Sequence, residues 1–359
     1  MWAFTLYGPV DIAELDYELP ERAIAQSPVE PRDSARLFVD HGPRGSADHR
    51  HVYDLPELVG PGDLIVVNDT KVIPARLRLR KPSGGAVEVL LLERRANGDW
   101  EALIKPSRRV ASGTVLVDEH GDGDLTVTAG DVIADDGRRL VSVRGGNDSM
   151  SEQDQLKVIE NHGEVPLPPY IHAPLADPSR YQTVFAHNPG SVAAPTAGLH
   201  LTTEVLDRCK EAGAKVATVE LLVGLGTFRP ITVDRVEDHP MHAERYRIPP
   251  RTKELIDSGQ HKVLAVGTTV VRALESYGTS GEVQGATSLF IRDGYEWKNV
   301  DRLMTNFHVP RSSLLALVRA FVGPRWRDVY EIALNEKYRF LSFGDAMLLE
   351  RRDHETTAE

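Results

Sequence analysis

The chain has 359 residues, of which 41% are hydrophobic and 26% charged, which fits a soluble globular protein of about two domains. Its formal net charge of −11 argues against general nucleic-acid binding, because phosphate neutralisation needs Lys and Arg. Cys209 is the only cysteine, so an internal disulfide and a cysteine-rich zinc site are excluded. No apolar run approaches the ~20 residues of a membrane helix. The opening "MWAFTLYGPVDIAELDYELP" lacks the basic and apolar regions of a secretory signal, so the cytoplasm is the expected compartment.

In chain order, "DLIVVNDT" reads as a buried strand ending in polar residues. From Leu77 to Val143 the texture is β. "AVEVLLLE" and "WEALIKP" flank Asn97-Gly98, a strong hairpin signal, and Asp136-Gly137 marks another turn. These short strands predict an antiparallel β-barrel or sandwich spanning 77–158. Nine basic residues stand against four acidic ones between Arg76 and Arg109, a local excess of +5. That cluster is either a solvated face or an RNA footprint. A helix follows in "SEQDQLKVIENHG", capped by Ser149 or Ser151.

"GSVAAPTAGLHLT" is a run of small residues leading into a helix, "TEVLDRCKEAG", with Thr202 or Thr203 as its cap and Gly213 at its end. Small residues let another group approach the backbone closely, and a flat heterocycle fits best. A tight loop that needs room for itself is the plainer reading. "AKVATVELLVGLGTF", "HKVLAVGTTVVRALES" and "DRLMTNFHVPRSSLLALVRAFVG" each begin as a strand, and the last two continue into helices. The last helix starts at Pro310 and Ser312. Strand and helix alternate, predicting an α/β domain (1–76 and 159–359) with a mostly parallel sheet, interrupted by the β-barrel insert. Ligands collect beyond the carboxyl ends of such strands, where the polar clusters sit.

"GLGTFR" lacks the third glycine of a dinucleotide fingerprint, and no P-loop is present. "HPMHAE" offers His239, His242 and Glu244, but without a zincin spacing or a further ligand, so no metal is expected. In "GTTVVR", Thr268 and Thr269 fall at a helix start, suited to an anion or simply to capping. Arg272 and Glu275 share a helix face and can pair with each other. "TNFHVP" places Asn306 and His308 at another strand end.

Several motifs together resemble the S-adenosylmethionine:tRNA ribosyltransferase-isomerase family of queuosine biosynthesis. They are "LDYELPERAIAQSPVEPRDSARL", "NDTKVIPARL", "PLPPYI", "RYQTVFA", "GSVAAPTAGLH", "GLGTFRP", "HPMHAERY", "VGTTVVRALES", "TNFHVPRSSLL" and "YRFLSFGDAML", in order from Leu15 to Leu349. The resemblance implies an α/β domain interrupted by a β-barrel. It implies transfer and isomerisation of the ribosyl part of S-adenosylmethionine onto 7-aminomethyl-7-deazaguanine in tRNA, giving epoxyqueuosine, adenine and methionine. S-adenosylmethionine is then a consumed substrate, no cofactor is needed, and a monomer without membrane attachment is expected.

A sulfonium acidifies the adjacent C5′ hydrogens, and losing adenine calls for an acid. His200, His242, Glu244 and His308 are the acid–base candidates. Thr196, Thr227, Thr268, Thr269, Arg272 and Asn306 suit the ribose hydroxyls or the methionine end, with Ala194 against the ligand. Asn68, Asp69 and Arg76 suit the modified base or tRNA, and Arg95, Lys105, Arg108 and Arg109 suit tRNA phosphates. The chain departs from the family motifs at Leu201, Leu222, Ala243 and Val270, where the motifs carry Phe, His, Ser and Ser. A relative with a different acceptor, or a non-catalytic tRNA-binding protein, are the alternatives.

Overall fold

The computed structural model describes residues 10–42, 46–118, 124–145, 150–224 and 231–352. The chain forms two compact units. The larger comprises Met1–Thr70, Pro168–Asn188 and Ala194–Glu359; the smaller comprises Lys71–Leu167 and Pro189–Ala193.

The larger unit is built on a nine-stranded sheet. Its strands lie in the order Gln284–Thr287, Glu244–Arg247, Lys215–Leu221, Asp63–Asn68, Lys262–Val266, Arg302–Asn306, Ala346–Glu350, Arg36–Asp40, Ala47–His51. The central four strands run parallel. The sheet as a whole is mixed rather than mostly parallel, because antiparallel pairings occur at both flanks. Two helices and the connection 336–345 separate Arg302–Asn306 from Ala346–Glu350, and these two strands pair antiparallel.

Leu64, Ile65, Val66 and Val67 are all buried, as expected of a strand covered on both faces. Of the helices, α1 (Glu152–His162) lies in the smaller unit, and α2 (Thr203–Glu211), α3 (Pro250–Asp257), α4 (Thr268–Ser280), α5 (Ser313–Val322) and α6 (Trp326–Asn335) in the larger. Ser151, Thr202 and Ser312 each accept an amide of the first turn of α1, α2 and α5. Ser149 lies outside the described residues. Every residue of α4 from Thr268 to Tyr277 is buried, so this helix is enclosed rather than amphipathic.

The smaller unit is a closed six-stranded antiparallel barrel. Around it run Arg76–Arg80, Ala86–Arg94, Trp100–Lys105, Arg139–Arg144, Thr126–Val132 and Val115–Asp118, which pairs back to the first strand. The strands alternate, and Leu77, Leu79, Val87, Val89, Leu91, Ala102 and Ile104 fill the interior. Gly98 and Gly137 take positive φ at the two hairpin turns. The compact unit that holds the barrel takes in Lys71–Leu167 and Pro189–Ala193. Within it Gly163–Glu164 pairs with Arg76–Leu77.

Candidate active site

Four parallel strands, Asp63–Asn68, Lys215–Leu221, Lys262–Val266 and Arg302–Asn306, bring their carboxyl ends to one edge of the larger unit. Two of the expected polar residues meet there directly. The Thr196 hydroxyl donates to the Asn306 Oδ1 at 2.9 Å, and Asn306 Nδ2 donates to the Leu341 carbonyl at 3.1 Å. Beside them Gly267, at φ +95°, turns the chain from strand into α4, a geometry that side chains resist. A Cβ at Gly267 would stand 3.6 Å from the Ala197 Cβ and 3.5 Å from the Thr269 Oγ1. Thr268 and Thr269 are buried at the first turn of α4, and the Thr269 hydroxyl has no hydrogen-bond partner among the described residues. Thr196, Asn306, Thr268 and Thr269 thus form one polar corner beside an uncapped helix start.

The small residues have a packing role. Ala194 and Ala197 are buried. A Cβ at Gly198 would come within 2.9 Å of the Phe185 Cζ and 3.0 Å of the Thr183 Cγ2. The 196–200 turn therefore needs small side chains to lie against its own neighbours.

His200 is buried at the end of that turn. Its Nδ1 lies 3.1 Å from the Ala197 carbonyl and its Nε2 2.9 Å from the Gly344 carbonyl. Burial pulls its pKa down, opposed by the two carbonyls. Both ring nitrogens face backbone carbonyls, and the neutral ring donates to one of them, so His200 packs the turn against residues 339–345.

Glu244 and Arg272 form a buried ion pair. Glu244 Oε1 also accepts the Gly224 amide at 3.1 Å, and Arg272 donates to the carbonyls of Leu289 and Thr287. Desolvation lowers the Arg272 pKa to about 10. The Arg272–Glu275 pairing does not form. Glu275 instead accepts the amides of Lys298, Asn299 and Val300 and the Tyr295 hydroxyl. Helix spacing made the Arg272–Glu275 pair possible, but a carboxylate that satisfies three amides has no need of it. His242 is exposed. Thr227 lies outside the described residues.

His308 is buried, with its Nε2 3.1 Å from the Thr305 hydroxyl. Tyr330 accepts its amide, and Tyr17 donates to its carbonyl. Burial lowers its pKa to about 3, so the imidazole stays neutral across physiological pH.

A family model described as "Queuosine biosynthesis protein" matches residues 12–349. The chain belongs to this family. An S-adenosylmethionine:tRNA ribosyltransferase-isomerase of Rubrobacter xylanophilus is 50% identical over 337 residues, covering 94% of this chain and 96% of its own. One from Moorella thermoacetica is 49% identical over 347 residues, covering 94% and 99%. The crystal structure of S-adenosylmethionine tRNA ribosyltransferase from Thermotoga maritima is 36% identical at a TM-score of 0.53, covering 93% of this chain and 99% of that one.

Two of the departures from the family motifs have a packing explanation: Val270 and Leu201 are wholly buried. Other expected site residues turn inward. Asn68 bridges adjacent strands: its Nδ2 donates to the Leu221 carbonyl and its Oδ1 accepts the Leu221 and Thr70 amides. Asp69 accepts from Asn188 Nδ2 at 3.2 Å, and the same amide group reaches Glu220 at 3.1 Å. Desolvation raises the Asp69 pKa, with nearby Glu220 adding to it. In the barrel, Arg76 is half-buried with its Nε 4.0 Å from Glu88, and Arg95 is paired with Glu101. Lys105, Arg108 and Arg109 are exposed.

Residues 339–345 fall within the motif "YRFLSFGDAML", yet none of them was an expected site residue. Leu341 and Gly344 supply carbonyls to Asn306 and His200, and Asp345 accepts the amides of Arg36 and Arg339. Leu341 and Gly344 act through backbone carbonyls, which no side-chain pattern signals, and Asp345 acts through its carboxylate.

Proposed function

We propose that this chain transfers and isomerises the ribosyl moiety of S-adenosylmethionine onto 7-aminomethyl-7-deazaguanine in tRNA, giving epoxyqueuosine with release of adenine and methionine. The observation that carries the reading is identity of 49–50% along nearly the whole chain to relatives that bear that enzyme's name. The polar corner of Thr196, Asn306, Thr268 and Thr269 supports it, because hydroxyls, an amide and a helix start suit ribose hydroxyls and a methionine carboxylate. S-adenosylmethionine is consumed as substrate and no cofactor takes part.

In this reading His200 and Glu244 are positioning residues, since their polar atoms face protein partners. His308, held neutral, is a hydrogen-bonding group, and exposed His242 is the imidazole available for proton transfer. Asp69 lies against Asn188 and Glu220 at the same sheet edge and suits an amine-bearing base. The protein works in the cytoplasm as a monomer; among the described residues no helix is long and apolar enough to cross a membrane.

The test is incubation with labelled S-adenosylmethionine and tRNA with or without the deazaguanine base. Adenine release that requires the modified tRNA is expected. Adenine release with unmodified tRNA would indicate a different acceptor, and no turnover with tRNA binding retained would indicate a binding protein.

A further inference from the structure

Residues 106–114 join Trp100–Lys105 to Val115–Asp118, which stand opposite each other in the six-strand ring of the barrel. The segment therefore straps one end of the barrel. It is tied down from two sides. The Lys81 ammonium donates to the Arg109 carbonyl, and buried Arg139 donates to the Val110 carbonyl at 2.6 Å and to the Gly130 carbonyl at 3.0 Å. Backbone bonds from Gly113 to Ala129 and from Ala129 to Thr114 pin its far end.

This strap presents Arg108 and Arg109 to solvent, and the strand end that enters it presents Lys105. Among the described residues none of the three side chains makes a hydrogen bond or ion pair. No Asp or Glu occurs between Glu101 and Asp118. One carboxylate lies close by in register: Glu88 is opposite Lys105, and it is drawn toward Arg76. The other basic residues of this region are committed. Arg78 pairs with Glu164, Arg94 with Glu152 and Arg95 with Glu101. Arg95 also sits at the far end of the strands, about 17 Å from Lys105 along a six-residue strand.

We propose that this strap is a docking surface for the phosphate backbone of RNA. In a chain of net charge −11, unpaired cations on a rigid, acid-free loop are the arrangement that phosphate contacts need. Fixing the strap through Lys81 and Arg139 reduces the ordering that binding would otherwise require. The inference rests on the tRNA-modifying reading above and narrows it. Of the four basic residues singled out in the sequence, Arg95 falls outside the surface and Lys105, Arg108 and Arg109 form it.

The experiment compares the full-length wild type with Arg108→Glu/Arg109→Glu. Fluorescence anisotropy with labelled tRNA is read across a salt series, beside calorimetric S-adenosylmethionine binding and thermal melting. The variant should weaken tRNA binding about tenfold at low salt and flatten the log–log salt slope by about 1.5, at 0.7–0.9 per lost contact. S-adenosylmethionine binding and melting should stay unchanged. If the charge reversal disturbs folding, Arg108→Gln/Arg109→Gln is read instead, with a smaller loss in the same direction. Wild-type tRNA affinity and slope in the folded variant would overturn the proposal while leaving the activity reading intact. A wild type that binds no tRNA would overturn that reading itself. Unchanged tRNA binding with lost binding to anionic lipid vesicles would reassign the strap to a membrane surface and overturn the RNA inference.

Discussion

Glu244 and Arg272 meet in an ion pair whose side chains are 6% and 7% exposed. The pair joins the first half of α4 to the strand Glu244–Arg247, and Glu244 also holds the Gly224 amide. A pair this dry adds little over an apolar contact while whole, yet it is costly to break in half. Arg272→Met should therefore destabilise the fold by about 3–5 kcal/mol, because it strands a buried carboxylate. Adding Glu244→Met should restore much of that loss. Urea unfolding of both variants checks this; additive losses would show that water reaches the pair.

His308 makes stability depend on pH. Its folded pKa is about 3, below the usual 6.5. The unfolded chain takes up a proton near 6.5 that the folded chain refuses until about 3. Stability is thus full above 6.5 and lost as pH falls toward 3, by about 2 kcal/mol between pH 7 and pH 5. His200 is shifted in the same direction. His308→Asn should flatten the acid limb measured by urea titration at both pH values. An unchanged limb would mean that His308 ionises in the folded protein.

Gly344 has no room for a side chain. A Cβ there would lie 2.4 Å from the Arg339 carbonyl oxygen, a backbone atom that cannot swing aside. Gly344→Ala should cost at least the 1–3 kcal/mol typical of overpacking and displace the carbonyl that meets His200. Thermal melting should fall together with activity. Normal melting would show that the 339–345 loop has slack.

Thr196 and Asn306 separate binding from packing. Thr196→Val removes the donor and leaves Asn306 Oδ1 unsatisfied, at a stability cost of about 1–3 kcal/mol. If the polar corner holds S-adenosylmethionine, KM for it should rise roughly tenfold, which is about 1.4 kcal/mol of binding. Thr196→Ser keeps the hydroxyl and should recover both. A KM that stays at the wild-type value in Thr196→Val, with melting alone affected, would confine the pair to packing.

What could be read from the sequence was what is local. Asn97-Gly98 and Asp136-Gly137 marked hairpins because a left-handed turn residue declares itself. Thr202 and Ser312 marked helix starts because a cap acts within three residues. The partners of polar side chains were not local. Asn68 looks like a ligand-facing strand end until Leu221, 153 residues away, takes its amide. Glu275 lost its neighbour Arg272 to tertiary partners in the same way. The mixed sheet was hidden because its antiparallel edges come from short strands such as Ala47–His51 and Glu244–Arg247, which carry no strong apolar pattern of their own.

The strand Arg36–Asp40 finds its parallel partner in Ala346–Glu350, at opposite ends of the chain. During synthesis the six barrel strands, from Arg76 to Arg144, are all available while that partner does not yet exist. A growing chain thus carries a barrel able to close and a sheet that cannot, with Arg36–Asp40 waiting as an open edge until Ala346–Glu350 has emerged. Premature termination just before Ala346 would leave a polypeptide with most of its elements in place and its first strand unpaired on that side, exposed to aggregation and to quality control.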